Sequence, residues 1–162
     1  MFDPFTKAGA LIRRLQQISL RVFSEATAPF DLSTVQFGAL QVIGDRPGID
    51  QASLGQASDT DRTTVIRVVD RLQQRGLIRR EPCPHDRRLN RLYVTSAGTQ
   101  LIAGMAPLAD SSQVRLLDPL SPDEREAFMR MLTKLVLAHS PPERATKPSS
   151  AQAQDSESAA IA

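Results

Sequence analysis

The stretch from Asp59 to Gly98 constrains the fold of this chain more than any other. It contains four apolar residues at the i, i+3, i+4 and i+7 spacing that places side chains on one buried helix face. These residues are Val65, Val68, Val69 and Leu72. Gly76 follows as a helix-ending glycine. Residues 77–81 and 89–95 then have the length and composition of paired strands, and the prolines between them favour a turn. The stretch therefore predicts a helix that leads into a β-hairpin.

Positive charge is concentrated in the same stretch. Nine arginines and three acidic residues lie between Arg62 and Arg91, so this segment carries +6 while the whole chain carries only +2. A concentrated basic surface is the electrostatic footprint expected of nucleic-acid binding. A solvated helix face would give the same pattern, so the charge alone leaves both interpretations open.

The N-terminal half predicts four helices. A first helix over about 6–28 carries an apolar stripe of Leu11, Leu15, Ile18 and Val22 and ends before Pro29. A second helix begins near Ser33 or Thr34 and stops at the glycine- and proline-containing turn 44–48. Asp50 can cap a short third helix over 51–58, and Asp61 can cap a fourth helix from Arg62 to Arg75.

Two further helices are predicted after the hairpin. Thr95 or Ser96 can cap a fifth helix, which Pro107 should kink or interrupt. The segment Ser121 to Glu124 has the order of a capping box and starts a sixth helix with an apolar stripe from Phe128 to Val136. We expect one domain over 1–139, with 33–98 as a helix-turn-helix unit followed by its hairpin. The segment 140–162 is rich in Pro, Ser and Ala and predicts a disordered tail.

Two short helices joined by a tight turn fit a helix-turn-helix, in which the second helix enters the major groove of DNA. On the predicted fourth helix, Arg67 can form a bidentate pair with guanine, and Thr63 or Thr64 can contact a thymine methyl group or a phosphate. Arg62 projects nearer the core side, so it can meet a phosphate, a ligand or another side chain.

The hairpin turn offers a second DNA contact. Arg87 and Arg88 on a narrow loop suit the negative potential of the minor groove, and Asp86 can pair with an arginine and fix its direction. A solvated turn with incidental charges is the alternative. The candidate DNA-contacting residues are Thr60, Arg62, Thr63, Thr64, Arg67, Arg71, His85, Asp86, Arg87 and Arg88.

These motifs resemble the MarR family of bacterial winged-helix transcription regulators. The resemblance rests on residues 32–40, 61–80 and 86–98, which include a wing pattern of Asp86, Arg88, Val94, Thr95 and Gly98. It spans about residues 10–138 in order and spacing. The resemblance implies a mainly α fold with a small β-hairpin wing, a winged helix-turn-helix flanked by N- and C-terminal dimerisation helices over 6–28 and 99–139.

The resemblance also implies partners. We expect a homodimer that reads a palindromic operator in double-stranded DNA and acts as a ligand-responsive repressor. The chain looks most similar to members that control the breakdown of aromatic acids, which implies a small aromatic or phenolic effector. The candidate ligand-binding residues, chosen near the expected boundary between the dimer helices and the winged unit, are Arg14, Ser19, Phe23, Phe37 and Arg62. Core packing explains the two phenylalanines equally well.

Other functions have less support in the sequence. His85 and His139 are the two histidines, and neither belongs to a nucleophilic triad or a metal-ligand cluster, so we expect no enzyme, no cofactor and no metal. Cys83 is the single cysteine and lies near Arg79, Arg80 and His85, which leaves open a redox-responsive regulator. A structural module built on the dimer helices would not account for the arginine-rich wing. The lack of a bilayer-spanning run or signal peptide and the single cysteine favour a cytoplasmic protein.

Overall fold

The structure is a computed structural model that describes residues 7–83 and 89–139. Its helices are α1 (Ala8–Ala26), α2 (Thr34–Asp45), α3 (Gln51–Ala57), α4 (Arg62–Gln74), α5 (Ser96–Leu117) and α6 (Pro122–His139), and a short 3₁₀ turn covers Ala28–Phe30. The strands are β1 (Ile49–Asp50), β2 (Ile78–Pro82) and β3 (Asn90–Val94). The predicted fold class, mainly α with a small β component, is confirmed. The tail segment 140–162 lies outside the described residues.

Capping side chains set the helix starts. Ser33 and Gln36 form a reciprocal capping box at α2, and Thr95 accepts a hydrogen bond from the Gly98 N–H at the start of α5. Ser33 and Thr95 are therefore the caps where the sequence left two choices each. The Ser121–Glu124 capping box is also present at α6. Pro107 is predicted to kink or interrupt the fifth helix. It does not interrupt α5, which continues through that residue, and a kink there stays a prediction.

The sheet contains a third strand, β1, that the sequence pattern does not predict. It has three antiparallel strands in the order β1-β3-β2, with Ile49 opposite Leu92 on one side and Arg80 opposite Leu92 on the other. The predicted hairpin is therefore present as β2 and β3, and its second strand is central rather than an edge. β1 is two residues long and ends at the cap of α3, so it has no apolar alternation to detect.

A single hydrophobic core contains side chains from all five helices α1 to α5 and from the three strands of the sheet. The predicted apolar face of α4 is buried as expected, with Val69 and Leu72 completely inaccessible to solvent. The same cluster includes Phe23 of α1, Phe37 of α2 and Met105 of α5. A boundary after Pro119 separates this compact unit from a second one that contains α6. The domain limits predicted from the sequence stay a prediction.

Candidate nucleic-acid interface

Helices α3 and α4 are joined by a tight turn. Asp59 adopts a left-handed backbone conformation with φ of 47°, and the Thr60 N–H donates to the Gly55 carbonyl at 2.9 Å. A Cβ atom at Gly55 would lie 3.0 Å from the Thr60 carbonyl oxygen and 3.2 Å from Val65 Cγ2, so a glycine lets the two helices approach closely. This is the compact helix-turn-helix geometry expected from the sequence.

The outer face of α4 carries the predicted contact residues. Arg62, Thr63, Arg67 and Arg71 are exposed, while Thr64 is half-buried. The Thr60 hydroxyl donates to the Ser58 carbonyl at 2.9 Å, so this side chain also stabilises the turn. The helix therefore presents threonine and arginine side chains outward from the end that meets base edges in a helix-turn-helix.

Asp61 fixes the first turn of α4. Its carboxylate accepts a hydrogen bond from the Thr64 N–H at 3.0 Å. Hydrogen bonds from the Thr64 side chain and backbone lower the pKa of Asp61 from its usual value, so the cap is ionised at neutral pH. The Thr64 amide is thereby used within the helix and is not available to a phosphate.

Arg62 lies in a groove at the base of the predicted wing. The groove has a volume of about 640 Å³ and is lined by residues of α3, by the start of α4, by Leu89 and by Asn90, the first residue of β3. Arg14, Ser19, Phe23 and Phe37 are not among its lining residues. Of the five candidate ligand residues, only Arg62 therefore lines this groove.

The two candidate phenylalanines contact each other inside the core. The ring centroids of Phe23 and Phe37 are 6.2 Å apart with a 44° angle between the planes, and both residues are buried. Ser19 is half-buried on α1 and Arg14 is exposed on the same helix. This placement agrees with the core-packing interpretation of the two phenylalanines, and ligand binding by this set stays a proposal.

Three arginine contacts stabilise the base of the wing. Arg80 of β2 pairs with Asp70 of α4, and the Arg79 guanidinium lies 4.6 Å from the centroid of the Tyr93 ring while it also pairs with Glu81. The pair of Arg80 with Asp70 links the wing strand to α4, and the Arg80 side chain is partly buried there. In the sequence, Arg79 and Arg80 are indistinguishable from the other arginines of the basic segment, and nothing there indicates these intramolecular partners.

The predicted tip of the wing is not part of the described structure. His85, Asp86, Arg87 and Arg88 lie outside the described residues. Next to them, the pairing of β2 with β3 is extended by a hydrogen bond from the Cys83 N–H to the Leu89 carbonyl at 2.9 Å. The contacts assigned to the tip therefore remain predictions from the sequence.

Cys83 lies at the base of the wing and is only 8% exposed. Its thiol is a hydrogen-bond partner of the Arg91 guanidinium, and this contact raises the pKa of Arg91. The sequence pointed to Arg79, Arg80 and His85 as the charged neighbours. Arg91, two strand positions before Tyr93 on β3, is a charged partner of Cys83 that the sequence did not suggest.

Residues 7–83 and 89–139 contain no group of three or more His, Cys, Asp or Glu side chains that could hold a metal ion. Over the same ranges, no helix combines the length and apolar character needed to cross a membrane.

Comparison with known proteins identifies the family of the chain. The MarR family model matches residues 30–89, from the end of the 3₁₀ turn to the start of β3. The transcriptional regulator HosA of Escherichia coli O111:H- is 34% identical over 108 residues, which cover 67% of this chain and 80% of HosA.

Solved structures agree with the sequence matches. The PcaV transcriptional regulator of Streptomyces coelicolor, in complex with its natural ligand, superposes with a TM-score of 0.79 at 28% identity, covering 86% of this chain and 99% of PcaV. BpsR of Bordetella bronchiseptica, whose DNA binding is regulated by 6-hydroxynicotinic acid, superposes with a TM-score of 0.73 at 29% identity, covering 78% of this chain and 96% of BpsR. The chain belongs to the MarR family and is a DNA-binding transcriptional regulator, not an enzyme.

Proposed function

We propose that this protein is a repressor that binds a palindromic operator as a homodimer and is released by a small aromatic or phenolic acid. The observation that carries the DNA-binding part of the proposal is the two-sided character of α4. This helix packs four apolar side chains into the core and presents Arg62, Thr63, Arg67 and Arg71 to solvent. A helix held this firmly can insert its first turn into the major groove in a defined orientation.

Exposed apolar residues on the terminal helices support the homodimer. Leu11, Ile12 and Leu20 are exposed on α1. On α6, taken by itself, Leu135 is 53% exposed and Leu137 is 71% exposed, and Met129, Met131 and Val136 are exposed as well. Apolar faces of this extent mark protein interaction sites, and a second copy of the chain would cover both helices symmetrically.

The nature of the relatives supports an aromatic acid effector. BpsR responds to 6-hydroxynicotinic acid, a hydroxylated aromatic carboxylic acid. An arginine can pair with such a carboxylate in a bidentate manner. Arg14 and Arg62 are the two arginines among the candidate effector-binding residues, and of these two only Arg62 lines the groove. We place the protein in the cytoplasm, where the DNA is accessible.

A mobility-shift titration tests DNA recognition. We expect the protein to shift the promoter fragment beside its own gene at moderate salt, with half-sites separated by about 10 base pairs. Affinity should fall steeply with salt, because phosphate contacts release counterions. Failure to shift any sequence in preference to a scrambled duplex would contradict the proposal.

A thermal-shift screen tests the effector. Benzoic, hydroxybenzoic and hydroxynicotinic acids serve as probes, each with and without the promoter fragment. An effector should raise the melting temperature of the free protein, because it binds the folded state, and should release the fragment. An acid that stabilises the protein but leaves the shifted band unchanged argues against release by that acid.

A further inference from the structure

The C-terminal end of α4 is attached to the segment between α1 and α2. Arg75, the C-cap residue of α4, donates hydrogen bonds from its two terminal nitrogens to consecutive backbone carbonyls. One bond goes to the Phe30 oxygen at 2.8 Å and the other to the Asp31 oxygen. The two partners lie more than 40 positions away in the sequence, 45 for Phe30 and 44 for Asp31.

The two carbonyls belong to a distinctive turn. Phe30 closes the 3₁₀ turn after α1, and Asp31 follows in a left-handed conformation with φ of 48° and ψ of 47°. Aspartate is one of the few residues besides glycine that adopt this conformation readily. The forked guanidinium of Arg75 matches two adjacent acceptors in a fixed geometry, which a lysine ammonium cannot reproduce.

The other side of this turn faces α1 and α5. A Cβ atom at Gly104 of α5 would lie 3.2 Å from Phe30 Cζ, so the Phe30 ring rests directly on the helix. The buried Thr27 hydroxyl donates to the Phe23 carbonyl of α1 at 2.8 Å. The turn that Arg75 holds is therefore packed against α5 and continuous with α1.

Because Arg75 lies at one end of α4, a small change in this contact displaces the opposite end of the helix by a larger distance. Helix α4 has 13 residues, which correspond to a length of about 20 Å. A rotation of about 5° at its C-terminal end moves its first turn by roughly 2 Å over that length. A shift of this size is enough to misplace side chains that hydrogen-bond to base edges.

We propose that Arg75 is a positioning residue that sets the orientation of α4 relative to α1 and α5, and thereby the specificity of DNA recognition. This proposal rests on the proposed function. Displacement of α5 or of the 3₁₀ turn would pass through Phe30 and Arg75 to the first turn of α4. The bonded pair of carbonyls is what distinguishes this residue from the other arginines of the helix.

A phosphate contact by Arg75 is the competing explanation, and charge separates the two. A phosphate contact needs only the positive charge, so Arg75→Lys would retain it and Arg75→Gln would lower the salt slope by about 0.9. A positioning residue needs the fork, so Arg75→Lys should fail although its charge is unchanged. The loss should then appear in specific binding only.

The experiment uses the full chain and a duplex that the wild-type protein enriches from a random-sequence pool. Affinity for this duplex and for poly(dI-dC) is measured over a salt series for wild type, R75K and R75Q. We expect both variants to bind the enriched duplex at least tenfold more weakly, in line with about 1.5 kcal/mol or more for hydrogen bonds that involve a charged group. Binding of R75K to poly(dI-dC) and its salt slope should stay as in wild type.

Two further variants make the test independent of Arg75 folding defects. Gly104→Ala adds a methyl group against the Phe30 ring, changes no charge and favours the helix, so it should also lower specific binding without changing the salt slope. Arg46→Gln removes an exposed charge at the C-cap of α2 and serves as the charge control. Wild-type specificity in both R75K and G104A would overturn the proposal. Failure of the wild type to enrich any sequence would instead overturn the proposed function.

Discussion

Gly98 shows how closely two parts of the backbone meet at the start of α5. A Cβ atom at this position would lie 2.2 Å from the Leu77 carbonyl oxygen and 2.6 Å from Val94 Cγ1. The same Leu77 carbonyl accepts the Thr95 N–H at 3.0 Å. The junction between β3 and α5 therefore packs directly on the residue before β2, and only a residue without a side chain fits.

We expect Gly98→Ala to destabilise the protein by about 1–3 kcal/mol, the range for overpacking a filled site. Urea unfolding followed by circular dichroism measures the change. Gly38→Ala is the matched control, because no atom lies within 4 Å of a Cβ there and alanine favours the helix. Equal stabilities of the two variants would contradict the steric explanation.

Cys83 gives a second prediction for a single residue. Because the thiol is buried, we expect it to react slowly in the folded protein, and peroxide should leave the DNA affinity unchanged. A mobility shift before and after peroxide treatment measures this, with Cys83→Ser as the control that cannot be oxidised. A peroxide-dependent loss of binding that is absent in the serine variant would support a redox-responsive regulator instead.

Among the elements, α4 is attached on three sides. Its apolar face enters the core, Asp70 pairs with Arg80 of the wing strand, and Arg75 bonds to the turn after α1. Asp61 also fixes its first turn through the Thr64 amide. The exposed arginines at its outer face are therefore presented from a helix with little freedom to tilt.

This arrangement predicts separate effects for the helix and the wing. Arg67→Ala should cost about 1–3 kcal/mol of binding and relax the sequence preference at one position, because a bidentate base contact is lost. Arg88→Ala, assigned from the sequence, should weaken all DNA sequences similarly and lower the salt slope by about 1. Titrations against a panel of single-base variants of the operator measure both, and identical effects on every sequence would contradict this division.

Asp50 links β1 to α3 and predicts a dependence of stability on pH. Burial raises the pKa of its carboxyl group, but hydrogen bonds from Ser53 and Ala52 outweigh it and the net pKa is lowered from the usual 3.8. A lowered pKa in the folded state means that the carboxylate stabilises the fold above pH 3.8 and loses this effect as the pH falls through the folded value.

We therefore expect the free energy of unfolding to decrease as the pH is lowered below about 4. The decrease should be less steep in Asp50→Asn, which still caps the helix. Urea titrations from pH 3 to pH 7 measure both slopes. Parallel curves for the variant and the wild type would show that this carboxylate does not contribute.

The elements that sequence reasoning recovered are those with local signals. The faces of α4 follow from a 3.6-residue period, and Ser33, Asp50, Asp61 and Thr95 were all recognised as possible caps from neighbouring residues. β1 was missed because a two-residue strand has no period. The contacts of Arg75 and Arg80 were missed because their partners are brought close only by the tertiary fold, although Asp70 and Arg80 were both visible as charges.

At the scale of the whole molecule, the main feature is apolar surface that a single copy of the chain leaves exposed to solvent. It lies on α1 and, within the second compact unit, on α6. An amphipathic helix that keeps leucine and methionine in water loses the stabilisation that burial gives. Association of two chains restores that contribution, so we expect folding and association to be linked.

Leu135→Asp should convert the dimer to a monomer and lower the affinity for the palindromic operator, because a charge would have to be buried at the interface. Light scattering after size-exclusion chromatography measures the mass. Val35→Asp changes a similarly exposed apolar residue on α2 and should remain dimeric. A wild-type protein that is monomeric at micromolar concentration would contradict the homodimer.

The shared core has a consequence for how the molecule can be divided. Phe23 of α1, Phe37 of α2, Val69 of α4 and Met105 of α5 belong to one buried cluster. A fragment cut to residues 33–98 would leave Phe37 without its aromatic neighbour Phe23 and remove Met105 from the centre. The segment 33–98 is therefore not expected to fold as an independent unit. Grafting its specificity onto another regulator requires transplanting outward side chains of α4 rather than the winged segment itself.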